Sequence, residues 1–231
     1  MLGRILRPVL RHRFGVLLTL QMAMLLAAAF AQGSLFKEEI FLLALLAMLV
    51  GSGFAILKGT KYLKQFLLMA AAALGCNIYG YLSPLPEADM VASIANLMFM
   101  AWVMFAMAAR VFLNRRVDEN IILGAACLYI HVGMMFSFVY LLVDYFVPHS
   151  FSMTTQVGGS AEVSRLLGQF LYYSFVTLGT VGYGDIAPIT PPARYISVIE
   201  AVSGQLYLAI LVARLVGMHL NKPDIDQGPS I

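Results

Sequence analysis

Apolar and polar positions along this chain fall in long blocks rather than in alternation. Mostly apolar runs occupy residues 14–31, 40–57, 65–82, 90–112, 121–147 and 195–220. Each approaches the roughly 20 residues a helix needs to cross a hydrocarbon core about 30 Å thick, at a rise of about 1.5 Å per residue. The pattern predicts six spanning helices. The breaks at 32–39, 58–64 and 83–89 are short and polar, and Pro84 and Pro86 mark the third as a turn. A seventh apolar stretch, 166–178, is too short to span. It runs into glycine-rich sequence and then Pro188, Pro191 and Pro192. That pattern suits a half-helix that enters the membrane and turns back.

Composition agrees with this layout. Of the 231 residues, 61% are hydrophobic and 12% are charged, against roughly 45–50% and 25% in soluble domains. So few charges exclude a disordered chain, a nucleic-acid module and an ordinary cytosolic enzyme. Cys76 and Cys127 each sit inside an apolar run with no metal-ligand spacing, so both read as small buried hydrophobes. The net charge of +3 matters less than its distribution. Lys and Arg stay on the cytoplasmic side of membrane proteins. Three basic groups share one side if both termini are cytoplasmic: Arg4, Arg7, Arg11 and Arg13; Lys58, Lys61 and Lys64; and Arg110, Arg115 and Arg116. The opposite side holds Glu38, Glu39, Glu87 and Asp89, with Lys37 as an exception, and Arg165 and Arg194 flank the half-helix hairpin. A competing reading of the start takes Ala29-Phe30-Ala31 as a secretory cleavage site before Gln32. The length of the preceding apolar run favours a retained first helix.

The chemistry concentrates after the half-helix, in Thr177-Leu-Gly-Thr-Val-Gly-Tyr-Gly-Asp185. Gly182 and Gly184 alternate with Val181 and Tyr183. Glycine takes positive φ readily, so this run can turn successive carbonyls to one side. Irregular backbone at membrane depth is tolerated only where it is buried or lines a watery cavity. A pore lining follows from the location itself.

Thr180-Val181-Gly182-Tyr183-Gly184 resembles the selectivity filter of the potassium channel family residue for residue. The resemblance covers about residues 121–220, an outer-helix, pore-helix and inner-helix module. It implies a bacterial-type channel in which four such loops surround one axis. Thr180, Val181, Gly182 and Tyr183 would then supply the oxygens that hold K+ ions, and Gly184 and Asp185 would form the outer mouth. No organic cofactor is implied. Tyr172 and Tyr173 resemble the aromatic pair that cuffs the filter, with Thr177 behind it. Gly204 falls where the family places an inner-helix hinge, though close packing explains a mid-helix glycine equally well. Gln205, Leu208, Val212 and Val216 would line the cavity and the cytoplasmic constriction; ordinary helix contacts are the alternative. Two departures stand out. Val176 replaces the pore-helix glutamate of some bacterial members, and Gly179 replaces a threonine, which would loosen the end of the pore helix.

Glu200 lies within the last span, where an ionisable group is costly and points to function. One turn before Gly204, it could accept hydrogen bonds from Thr177 or Ser174 and brace the filter from behind, or stay protonated through burial. Arg214, near the inner end, would snorkel to the lipid interface. The fourth span carries no basic residue over 90–109, whereas gating charges must sit within the field. Strong voltage gating by that helix is therefore not expected. Gln21, Asn77, Asn96 and His131 are the intramembrane polar groups that can bond between helices.

The sequence thus predicts an all-α membrane protein with six transmembrane helices plus a re-entrant pore helix. Residues 1–118 would form a four-helix module resembling a voltage sensor without gating charges. Residues 119–220 would form the pore, and 221–231 a short cytoplasmic tail. The expected function is passive, selective K+ conduction by a homotetramer in the plasma membrane, the inner membrane if the source is bacterial, with both termini cytoplasmic. The lipid bilayer is the expected partner, and no nucleic acid is. No enzymatic motif appears. A non-conducting regulatory subunit and a K+ transporter subunit are the rival readings.

Overall fold

A computed structural model describes residues 13–31, 51–53, 55, 63–83, 85–113, 119–153 and 163–220. The helices are α1 (Arg13–Ala31), α2 (Leu63–Leu82), α3 (Pro86–Leu113), α4 (Glu119–Phe146), α5 (Val163–Leu178) and α6 (Pro191–Leu220), with two short strands, β1 (Phe151–Met153) and β2 (Ile186–Pro188). Residues 51–53 and 55 are also helical. Among the described residues, four helices, α2, α3, α4 and α6, are long and apolar enough to cross a membrane. Arg13–Ala28 and Leu166–Leu178 are apolar over shorter lengths. Most of the expected span 40–57 lies outside the described residues, as do Arg4, Arg7, Arg11, Lys58, Lys61, Arg115, Arg116 and the tail 221–231.

Helix ends follow local chemistry. Pro86 opens α3, where a missing N–H costs nothing. Glu87 and Asp89 in its first turn and Arg110 in its last turn complement the helix dipole. Pro191 and Pro192 likewise open α6, so it starts four residues before the apolar run at 195. The Arg194 amide donates to the Thr190 carbonyl at 3.0 Å and closes its first turn.

The centre of the fold is α4. It packs against α1, α3, α5 and α6, whereas α2 packs chiefly on α3. One apolar cluster holds the front helices together: Phe14 and Leu17 of α1, Phe66 and Ala70 of α2, Val103 and Met107 of α3, and Leu128 of α4. A second joins them to the hairpin through Met24, Met100, Met134, Phe138, Phe151 and Phe170. Polar groups tie the same helices. Asn77 of α2 and Asn96 of α3 exchange amide hydrogen bonds at 2.8 and 3.1 Å. Gln21 Nε2 donates to the Cys127 carbonyl at 3.2 Å. The fully buried His131 donates from Nε2 to the Met100 carbonyl at 3.1 Å.

Arg214 departs from the expectation that it snorkels to lipid. Its guanidinium donates to the Val111 carbonyl of α3 at 2.5 Å and lies 5.3 Å from the centre of the Phe112 ring. The last carbonyls of a helix have no internal partner and attract a cation, and α3 ends within reach of this arginine. Arg110 of α3 similarly donates to the Ala55 carbonyl at 3.0 Å.

Candidate functional site

The helix α5 and the loop behind it build the site. A helix leaves its last four carbonyls without internal partners, and in an apolar setting each is costly. Here all four find donors. Gly179 N donates to Phe175 O at 3.0 Å, and Thr180 N to Thr177 O at 3.0 Å. Val181 N and Gly182 N both donate to Val176 O, at 2.9 and 3.3 Å. The Tyr129 hydroxyl of α4 donates to Leu178 O at 3.1 Å. Gly179 therefore closes the turn instead of loosening it. A Cβ there would stand 3.0 Å from the Phe175 carbonyl.

Beyond this turn the backbone alternates. Thr180, Gly182 and Gly184 have φ of 55°, 60° and 82°, whereas Val181 and Tyr183 stay at ordinary negative φ. Positive φ suits the two glycines but is uncommon for a β-branched residue, so Thr180 is held there by its surroundings. Its amide bond to Thr177 is one such restraint. Residues 179–185 are exposed within a single chain.

Strand pairing holds the chain on the far side of the loop. Phe151, Ser152 and Met153 pair antiparallel with Pro188, Ala187 and Ile186. This ties the segment that leaves α4 to the segment that leaves the loop. Ser150 is the knot beside it and is fully buried. Its amide donates to Asp144 Oδ1 at 2.9 Å, and its hydroxyl donates to Val147 O at 2.5 Å while meeting Thr190 Oγ1 at 2.9 Å. Its carbonyl accepts from Ile189 N at 2.8 Å. His149, at φ 61°, makes the bend that delivers Ser150 there.

The two tyrosines of α5 part company. Tyr172 stacks on Tyr183, with ring centres 6.5 Å apart and 5° between planes, and its hydroxyl bonds Asp185. Tyr173 turns inward instead. It meets Tyr140 edge-on at 4.9 Å, and its hydroxyl bonds Ser197 at 2.7 Å. Within one chain, therefore, only Tyr172 of the expected aromatic pair touches Tyr183. Phe151 and Phe170 complete an aromatic cluster around Tyr140, at ring distances of 5.4 and 6.2 Å.

Glu200 faces α5 and is fully buried. Ser174 Oγ lies 2.5 Å from its Oε1 and 2.7 Å from the Gly133 carbonyl of α4. The Tyr140 hydroxyl bonds its Oε2. Thr177, the other partner weighed from sequence, is not among its hydrogen-bond partners. Gly204 packs its backbone on the end of α5: a Cβ there would stand 2.8 Å from both Leu178 O and Leu178 Cδ1. Close packing thus accounts for this glycine, and α6 runs unbroken through it. Gln205, Leu208, Val212 and Val216 are exposed along α6. Tyr207, between them, donates to the Ala125 carbonyl of α4 at 2.7 Å.

Tyr129, Tyr140, Ser150 and Ser197 were not singled out from the sequence. The available signal was a hydroxyl inside an apolar run, since a buried Tyr or Ser must find a partner.

This arrangement, several long apolar helices packed around a short helix and an alternating loop, is that of a mostly helical, multi-pass membrane protein. Residues 134–220 match the family model described as ion channel, Ion_trans_2. The voltage-gated potassium channel Kch of Escherichia coli is 27% identical over 133 residues, covering 55% of this chain and 30% of that protein. Protein LctB of Bacillus caldotenax is 33% identical over 90 residues, covering 38% of this chain and 64% of that protein. The two-pore potassium channel 5 of Arabidopsis thaliana is 41% identical over 51 residues, covering 22% and 12%. The chain spans less than two thirds of the length of each of these relatives. No solved structure matches the chain.

Proposed function

We propose that the chain is one subunit of a homotetrameric, potassium-selective channel that conducts passively across the plasma membrane. The observation that carries this reading is the alternating backbone of Thr180 to Gly184. A peptide strip whose φ alternates in sign turns neighbouring carbonyls the same way, and such oxygens can replace the water around a dehydrated cation. A single strip cannot enclose an ion, so four copies around one axis are required. In this reading α5 is the re-entrant pore helix, α4 the outer helix and α6 the inner helix. The negative end of the α5 dipole then points toward the conduction path, where it favours a cation. Thr180, Val181, Gly182 and Tyr183 hold K+. Gly184 and Asp185 form the mouth, which Tyr172 steadies.

The inner face of α6 supplies Gln205 below the filter, followed by Leu208, Val212 and Val216. Apolar rings of this kind close a pore by dewetting. The front helices 1–118 form a peripheral module. Its helix α3 has no basic residue before Arg110, so it carries no ladder of charge through the field, and opening does not depend strongly on voltage.

Flux from liposomes containing the purified chain alone tests this. The expected result is K+ efflux far faster than Na+ efflux, without a coupled ion or a partner protein. Strict dependence on a second ion favours a transporter subunit. Flux that appears only with another channel protein favours a regulatory subunit.

A further inference from the structure

We infer that Glu200 is a neutral carboxylic acid whose proton completes a hydrogen-bond relay pinning the C-terminal half of α5 between α4 and α6, which makes it a positioning residue for the loop that follows. The reasoning is a count of hydrogens. Three close oxygen–oxygen contacts meet here: Tyr140 with Glu200, Ser174 with Glu200, and Ser174 with the Gly133 carbonyl. Tyr140 and Ser174 bring one hydroxyl hydrogen each, and a carbonyl brings none. Two hydrogens cannot serve three contacts. A charged Glu200 would leave two oxygens facing each other through lone pairs only. A protonated Glu200 satisfies all three: its acid hydrogen goes to Ser174 Oγ, Ser174 donates to Gly133 O, and Tyr140 donates to the other carboxyl oxygen.

The surroundings agree. Among the described residues Glu200 has no cation paired with it, and it is fully buried. The ionisable groups nearest to it are phenols, Tyr129 and Tyr140 of α4, with Tyr173 of α5 beyond Tyr140. His131, the imidazole of α4, is bonded to Met100 of α3 instead. A lone buried carboxylate without a cation is far costlier than the neutral acid.

The position gives the relay its purpose. Ser174 lies in the C-terminal half of α5, one turn before its last residue, Leu178. One turn further on, Leu178 is held by Tyr129 from α4 and by the Gly204 backbone from α6. Two contact levels, each reaching both neighbouring helices, fix how far α5 projects toward the loop. Because satisfied buried networks are rigid and half-satisfied ones are not, loss of the acid hydrogen releases the upper level.

This rests on the pore reading only for what α5 positions; the protonation itself does not depend on conduction. The test has two arms on the full-length protein. Infrared spectroscopy of the detergent-purified chain at neutral pH is expected to contain the carbonyl band of a protonated carboxylic acid that Glu200→Gln removes. No difference between the two proteins in that band overturns the inference. In liposomes, Glu200→Ala is expected to lower K+ over Na+ selectivity by about tenfold, the size of one unsatisfied buried group. Glu200→Gln, whose amide donates to Ser174 and accepts from Tyr140, is expected to restore it to within about threefold of wild type. A Gln variant as impaired as Ala overturns the relay. If Ala fails to assemble, Ser174→Ala replaces it and is expected to show the same loss. A wild-type chain without K+ flux counts against the channel reading, while the infrared arm still decides the protonation.

Discussion

Single atoms decide several features of this hairpin. The Leu178 carbonyl has one hydroxyl donor, Tyr129, and a glycine at 204 leaves room for it. Tyr129→Phe removes the donor without opening a large cavity, so it should destabilise the fold by about 1–3 kcal/mol, the cost of an unsatisfied buried acceptor. Gly204→Ala should cost a similar amount, about 1–3 kcal/mol, because the new methyl meets backbone as well as side chain. Thermal unfolding in detergent checks both. A Gly204→Ala protein as stable as wild type would return the hinge role to consideration ahead of packing. Thr180 is the residue on which sequence reasoning was least informative in geometric terms. The alternation of glycines was legible, but a positive φ at a threonine is imposed by the turn beneath it, and no propensity announces that. Glu200 was legible as unusual because it is an acid in an apolar run. Its partner Tyr140, and Gly133 on the far side of Ser174, were not, since both lie on a helix at least 60 residues earlier.

Elements were legible to the extent that their ends carry chemistry. The apolar blocks located α2, α3, α4 and α6 closely, and the short block before the glycines located α5. Where prolines open a helix, as at Pro191, the hydrophobic pattern starts late and misses the first turn. The pairing of β1 with β2 was invisible, because three-residue strands have no periodicity to detect. The contacts between front and rear helices were also unreadable: Arg214 reaches Val111 through folding alone, and nothing in its neighbours points there. Two expectations belong at this scale. Replacing Asn77 and Asn96 by Leu singly and together should give a coupling of only about 0.6 kcal/mol in a double-mutant cycle, as is usual for polar pairs between membrane helices. Coupling well above 2 kcal/mol would mean that the pair carries more than packing. Ser150→Ala should loosen the segment after the loop, since one side chain and its backbone join Asp144, Val147, Ile189 and Thr190. Faster amide exchange at Ile186 and Ala187 and across the paired strand Phe151–Met153 is the expected readout.

Across the whole molecule the chain divides its polar groups with economy. Among the described residues, several buried ones such as Gln21, Asn96 and His131 bridge helices, and the loop from Gly179 to Asp185 is exposed in a single chain. One face of α6, with Leu206, Leu208, Ile210, Val212 and Val216, is likewise exposed in a single chain. Both are what a subunit of a symmetric assembly around an axis would present. The most direct test of the central claim is the ratio of K+ to Na+ flux through the purified protein in liposomes, for wild type and for Tyr183→Asp. Strong K+ preference is expected in the wild type and a ratio reduced at least about tenfold in the variant, because the strip proposed to hold K+ loses the ring that stacks on Tyr172. A ratio unchanged by the substitution, or no preference in the wild type, would contradict it.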